Sequence, residues 1–232
     1  VIKRIRFATS NPELSREVFE ERWVAACAAA AEAPAGARPR RVTVCTSRPD
    51  VLADPVHDGI AIEWFDDATH VRRFEAWLPS VGTRREEVVA IAASPVMVAD
   101  ELVLRGADWL DARWRDGGRT LKHMAIAKRA AGLSPAEFSE RWKSRPGKVA
   151  IAGGPVVAIP DRARGCAYVQ NHPRAGAAYD PYDAFNEVYF DDLDDLRFRI
   201  EWFADNLSNG SDSDLVSEAW FVAATEDVVW SD

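Results

Sequence analysis

Residues 14–23, LSREVFEERW, return at 133–142 as LSPAEFSERW, six identities in ten at a constant offset of 119. A second island, HDGIAIEWFDD at 57–67, faces YDAFNEVYFDD at 182–192 at an offset of 125, and a weaker third sets 99–104 beside 216–221. A chain written twice in this way is expected to fold as two like units that bury surface against each other. The units predicted are 1–113 and 118–232, with Asp116, Gly117 and Gly118 as a short turn between them.

Each unit reads as β-α-β-β-α-β. First strands are predicted over 2–8 and 121–127, second strands over 42–46 and 166–171, and third strands over 58–65 and 183–190, on their apolar, β-branched and alternating character. Ser134, Pro135 and Glu137 have the spacing of a capping box, in which the serine oxygen accepts from the third helical amide and the glutamate reaches back. Ser15 takes the same place in the first unit. The Asp pairs closing both third strands can cap second helices over 69–78 and 193–206, and the first unit carries extra residues, 79–95, where the second has only a polar loop, 208–214. This order is the split βαβ arrangement, a four-stranded antiparallel sheet with both helices on one face. The bare faces need a cover, and two α+β, ferredoxin-like units are expected to pack their sheets together.

Composition narrows the function. With 37 acidic against 29 basic residues the net charge is −8, and no basic stripe interleaves with aromatics, so nucleic acid is not an expected partner. Cys27, Cys45 and Cys166 are widely spaced, which fits neither a disulfide framework nor a thiolate metal site and suits a reducing cytoplasm. The opening segment 1–7 alternates like a strand and lacks the apolar core of a signal peptide. The longest mostly apolar run, 88–99, is interrupted at Ser94 and Pro95, short of the ~20 residues that span a bilayer, so no membrane partner is expected. His57, His70, His123 and His172 form no pair at metal-binding spacing, and neither a Gly-x-Gly-x-x-Gly, a P-loop nor a Gly-x-Ser-x-Gly elbow occurs. No metal, nucleotide or other cofactor is predicted.

The islands resemble the EthD family of the dimeric α/β-barrel superfamily. The second unit has Phe138 and Trp142 on its first helix, YVQNH at 168–172 and DAFNEVYFD at 183–191; the first keeps Phe19, Trp23, Asp58, Gly59, Phe65 and Asp66. The resemblance implies a fused dimeric α/β barrel, monomeric or further dimerised. It also implies a small-molecule activity among those of its relatives, which include polyketide cyclases, dehydratases or decarboxylases, isomerases and cofactor-free oxygenases. Where the family often carries a histidine four residues after the helix tryptophan, this chain has Cys27 and Pro146. Some members of the superfamily bind haem, for which His172 or His123 would have to be the axial ligand.

The second unit holds the candidate chemistry. His172, at the end of a strand, matches the family's histidine and titrates near neutrality, so it is the first choice for moving a proton. His123 falls on one strand face with Leu121 and Ala125, either toward a cavity or as a core imidazole. Glu187 shares a face with Asp183, Phe185 and Tyr189, where a carboxylate could have a raised pKa and act as base, or else be a paired buried charge. Tyr168, Gln170 and Asn171 could hold a carbonyl oxygen, and Phe185, Tyr189, Trp64 and Trp220 could contact a flat ligand. The function predicted is a metal- and nucleotide-independent enzyme that cyclises, dehydrates, isomerises or decarboxylates an aromatic or polyketide-like molecule by proton transfer. The alternatives are a binding protein for a hydrophobic metabolite and a cofactor-free oxygenase.

Overall fold

Ser15, Asp67 and Ser134 start helices as their positions predict. In the computed structural model, described over residues 1–81, 87–144, 148–150, 156–174, 181–206 and 214–232, Asp67 accepts from the His70 amide at 2.8 Å. The Ser134 hydroxyl accepts from the Glu137 amide at 3.2 Å, while the Glu137 carboxylate accepts from the Ser134 amide at 2.9 Å. The elements of the first half are β1 (Ile2–Ala8), α1 (Arg16–Ala28), β2 (Arg41–Ser47), β3 (Gly59–Phe65), α2 (Ala68–Trp77) and β4 (Val96–Arg105), followed by α3 (Ala107–Asp116). Then come β5 (Arg119–Arg129), α4 (Pro135–Lys143), a small hairpin of β6 (Lys148–Ala150) and β7 (Val156–Ala158), and α5 (Asp161–Arg164). β8 (Ala167–Pro173), β9 (Ala184–Phe190), α6 (Leu193–Asn206) and β10 (Val216–Ser231) complete the chain. Pro146 and most of the expected polar loop, 208–213, lie outside the described residues.

The expected pair of ferredoxin-like units with separate sheets packed together is overturned. Eight strands close into one antiparallel barrel in the order β1-β3-β2-β10-β5-β9-β8-β4, with β4 returning to β1. The reason lies at the edges: an open four-stranded sheet leaves two rows of unpaired N–H and C=O groups, and closure removes them. β4 pairs with β1 on one side and β8 on the other, and the sixteen-residue β10 pairs with both β5 and β2. The halves are thus joined by two hydrogen-bonded seams.

The sequence reading also missed α3. It opens at Gly106, whose φ of 77° is left-handed and where a Cβ would lie 2.4 Å from the Cys166 carbonyl oxygen, so a side chain there is excluded. The helix ends at Gly117 and Gly118, both with positive φ, whose carbonyls accept from the Arg113 guanidinium at 2.6 and 2.5 Å. This helix crosses one mouth of the barrel, where buried Leu110 packs with Val169 and Tyr189.

Period-two alternation sorts the strand residues into a barrel interior and an outer layer beneath the helices. Ile5, Phe7, Ile60, Ile62, Met97, Met124, Ile126 and Val222 fill the interior toward the mouth opposite α3. There the rim is aromatic: Phe7 meets Phe185 edge-on at 5.6 Å, Tyr182 meets Trp220 at 5.7 Å, and the Tyr182 hydroxyl lies 2.6 Å from His57 Nε2.

Candidate functional site

The polar residues of the second half fall into two places on opposite sides of the barrel wall. Glu187, Tyr189 and Asn171 point into the barrel, whereas Tyr168, Gln170 and His172, one residue out of phase on β8, point outward beneath α4. His172, His123 and Glu187 therefore do not form one constellation.

Inside, the α3 end of the barrel holds a chain of five charges in the order Glu101, Lys3, Glu187, Lys122, Glu226, of which all but the partly exposed Glu101 are buried. Lys3 Nζ lies 2.6 Å from Glu101 and 2.7 Å from Glu187, and Lys122 Nζ lies 2.6 Å from the other Glu187 oxygen and also pairs with Glu226. The Glu187 carboxylate further accepts from Asn171 Nδ2 at 2.9 Å and the Tyr189 hydroxyl at 2.9 Å. Burial alone would raise the Glu187 pKa, but Lys122 and Lys3 more than offset it and hold the carboxyl well below its usual range. Burial likewise opposes the Lys122 charge, which Glu187 and Glu226 restore, so its pKa stands well above the ordinary value. Burial and the adjacent Glu187 charge push the Tyr189 phenol upward. The expected raised-pKa base at Glu187 is thereby corrected: it is a saturated counter-ion between two lysines. Phe185 and Trp220 are rim and core packing at the far mouth, and Trp64 lies at the α3 mouth, where its indole donates to Glu101 at 3.1 Å.

Outside, six side chains form one hydrogen-bonded cluster between the sheet and α4. Trp142 Nε1 donates to Asn186 Oδ1 at 3.1 Å, which leaves the Asn186 amide nitrogen to donate to the Tyr168 hydroxyl oxygen at 3.1 Å. Gln170 Nε2 donates to the Trp142 carbonyl at 3.3 Å and to the same Tyr168 oxygen at 3.0 Å. Those bonds fix the Gln170 amide, so its oxygen faces His172 Nε2 at 3.1 Å and the proton sits on that nitrogen. His172 Nδ1 is then an acceptor, and the Ser139 hydroxyl supplies the donor at 3.1 Å. Burial lowers the His172 pKa to about 4, with nearby Lys143 acting in the same direction, so the ring is neutral at pH 7. The Tyr168 oxygen accepts twice, and among the described residues its own O–H has no acceptor. Burial raises the Tyr168 pKa, so that proton stays in place. Gln170, His172 and Asn186 are buried, while Ser139, Trp142 and Tyr168 keep partial exposure. A ligand would meet those three first.

His123 sits elsewhere in the outer layer, beneath α6. Its Nδ1 accepts from Arg199 Nε at 2.9 Å, its ring stacks on Phe221 at 5.0 Å, and burial beside that guanidinium holds its pKa well below the ordinary value. This is the core-imidazole alternative. The histidines do not suit haem ligation: both ring nitrogens of His172, His57 and His70 have partners, and His123 is wedged among Arg199, Phe203 and Phe221. Among the described residues, no group of three His, Cys, Asp or Glu side chains is placed to hold a metal ion, and no helix is long and apolar enough to cross a membrane.

Lys3, Lys122, Glu101, Glu226, Ser139 and Asn186 were not singled out from sequence. A signal for the first four was available, because Lys122 follows Lys3 by 119 residues and Glu226 follows Glu101 by 125, the spacings of the repeated islands. Ser139 carried none, since it reaches His172 only across the gap between helix and sheet.

No family model matches the chain, and no curated protein sequence matches it. One similar structure is an anthrone oxidase-like protein, 10% identical, aligned over 98% of this chain and 92% of its own, with a TM-score of 0.52. Another is a mutant chlorite dismutase from Candidatus Nitrospira defluvii in complex with cyanide, also 10% identical, covering 98% and 91%, with a TM-score of 0.50. At such identity the likeness is one of fold.

Proposed function

We propose that the protein is a small-molecule enzyme of the EthD kind that moves a proton on an aromatic ketone or polyketide-like substrate without metal or nucleotide. The observation that carries this is the pairing of a neutral His172, whose Nδ1 faces the Ser139 hydroxyl, with a Tyr168 O–H that has no acceptor of its own. In this reading a substrate carbonyl accepts from Tyr168 at the mouth of the slot. The proton on the adjacent carbon passes to Ser139 Oγ as the Ser139 proton passes to His172 Nδ1, leaving an enolate held by the phenol and an imidazolium. Return of that proton at another carbon isomerises the substrate. Loss of a β-hydroxyl as water, with the proton returned by the imidazolium, dehydrates it, and attack on a second carbonyl, whose oxygen takes that proton, cyclises it.

An oxygenase variant of the same chemistry, in which the carbanion meets dioxygen, draws support from the fold shared with an anthrone oxidase-like protein. Anthrone is therefore the first probe. In deuterated buffer without oxygen, the protein is expected to exchange the anthrone methylene protons, and with oxygen to consume it. His172→Ala and Tyr168→Phe are expected to slow exchange by roughly 10²- to 10⁴-fold with the fold intact. Equal rates in wild type and both variants, across anthrone and simpler aryl ketones, would remove the proposal. A binding role without turnover is favoured by one observation, the cavity at the α3 mouth, which contains no histidine.

A further inference from the structure

The α3 mouth of the barrel holds a cavity of about 300 Å³ lined by Arg41, Trp64, Glu101, Leu110, Asp111 and Trp114, together with apolar atoms of Val103 and Ala107. The charges around it are mostly neutralised: Arg40 pairs with Asp66 at 2.8 Å and Asp232 at 2.9 Å, and Lys3 pairs with Glu101 at 2.6 Å. Arg41 is different. Its guanidinium lies 3.7 Å from the Trp114 ring centre and 5.4 Å from that of Trp64, and among the described residues it makes no ion pair. Its Nε is buried without an acceptor, and so is the indole Nε1 of Trp114 beside it. The carboxylates of Glu101, Asp111 and Glu226 act on this half-buried cation only through space, so the guanidinium keeps hydrogen-bonding capacity for an acceptor of negative charge in the cavity.

We propose that this cavity is a binding site for a small organic acid, with the carboxylate received by the Arg41 guanidinium beside the Trp114 ring and the apolar body lying against Leu110, Val103 and Ala107. The site is on the opposite side of the barrel wall from His172, so it is a second site and does not depend on any turnover there. Asp111 lines the same cavity and opposes an anion, so its removal should have the reverse effect of removing Arg41.

The test uses the full chain, with benzoate and hexanoate as probes and benzamide as the uncharged control, followed by calorimetry and by quenching of tryptophan fluorescence. Saturable binding of at least one acid is expected, with benzamide weaker than benzoate by on the order of tenfold, the value of one charge-assisted hydrogen bond. Arg41→Gln should weaken binding to a similar degree, Trp114→Phe should weaken it less, and Asp111→Asn should tighten it. His172→Ala should leave it unchanged, which separates this site from the proposed reaction. If Arg41→Gln fails to fold, the opposed responses of Trp114→Phe and Asp111→Asn still decide the matter. Absence of saturable binding by both acids, equal binding of benzamide, or indifference to the Arg41 and Asp111 substitutions would overturn the proposal.

Discussion

The outer layers of the two halves fill the same kind of slot, between sheet and helix, with opposite chemistry. In the first half Arg4 and Arg6 grip the fully buried Glu63 at 2.7 and 2.9 Å, and Arg6 lies against Trp23 of α1 at 5.3 Å. In the second half the space under α4 holds a hydrogen-bonded set of neutral groups, Trp142, Asn186, Tyr168, Gln170, His172 and Ser139. A guanidinium does not give up its proton in a protein, so the first slot is electrically fixed. Imidazole, phenol and hydroxyl in series can pass one along, so the second slot is the one that the proposed proton transfer uses. The difference teaches that a polar slot between sheet and helix acts as a strut or can serve as a site according to whether its protons can move.

The hardest way to break this comparison is His172→Ala against Glu63→Gln. The former should remove roughly two to four orders of magnitude of proton exchange at modest cost in stability. The latter should leave exchange intact and destabilise the fold by about 3–5 kcal/mol, since it strands the buried Arg6 guanidinium and leaves Arg4 only its partner Glu75, as urea denaturation would measure. Exchange lost in Glu63→Gln but kept in His172→Ala would assign the halves the wrong way round.

A pH series sharpens it further. His172 and His57 both have pKa values lowered to about 4 in the folded protein, chiefly by burial, against an ordinary value of 6.5, and His123 is lowered as well. Below about pH 6.5 the unfolded chain takes up protons that the folded chain refuses, so stability is full above that pH and falls as the pH drops toward about 4. The urea midpoint should decline over that window, and His172→Asn should flatten the decline. Loss of the Glu187 charge adds only at lower pH, because Lys122 and Lys3 keep its folded pKa below the usual carboxylate range. A midpoint unchanged between pH 7 and pH 4.5 would contradict the buried neutral state of these rings.

The smallest effect concerns the two helix starts. Ser134→Ala removes the hydroxyl that accepts from the Glu137 amide, keeps the backbone amide bond to the Glu137 carboxylate, and should cost about 1 kcal/mol. Ser15→Ala should cost less, because the Ser15 hydroxyl reaches the Val18 amide only at 3.4 Å. Equal losses in thermal unfolding would mean that the longer Ser15 bond stabilises its helix as much as the shorter Ser134 one does.

Local structure was legible because its causes are local. The helix over 193–206 and the third strand ending at Phe190 emerge where Asp pairs and alternation predict them, and the Gly117 and Gly118 turn falls where composition puts it. Barrel closure was not legible, because it depends on how far β4 and β10 extend beyond their repeated cores to pair across the seams. Within the site, His172, Tyr168 and Gln170 were placed by the Tyr-Val-Gln-Asn-His strand, which carries its own alternation. Glu187 was read on the correct strand, but the sign of its pKa shift depends on Lys3, 184 residues away in sequence, and on Lys122. Long-range charge pairing of that kind leaves no periodic trace in either partner alone.

Closure through two seams also bears on how the molecule comes apart. Every stave of the hoop is flanked by two others, so none can peel away without tearing two ladders along its length, and neither half can loosen while the other stays whole. Slow, all-or-none unfolding follows, with amide exchange in β4 and β10 as retarded as at the centre of either half.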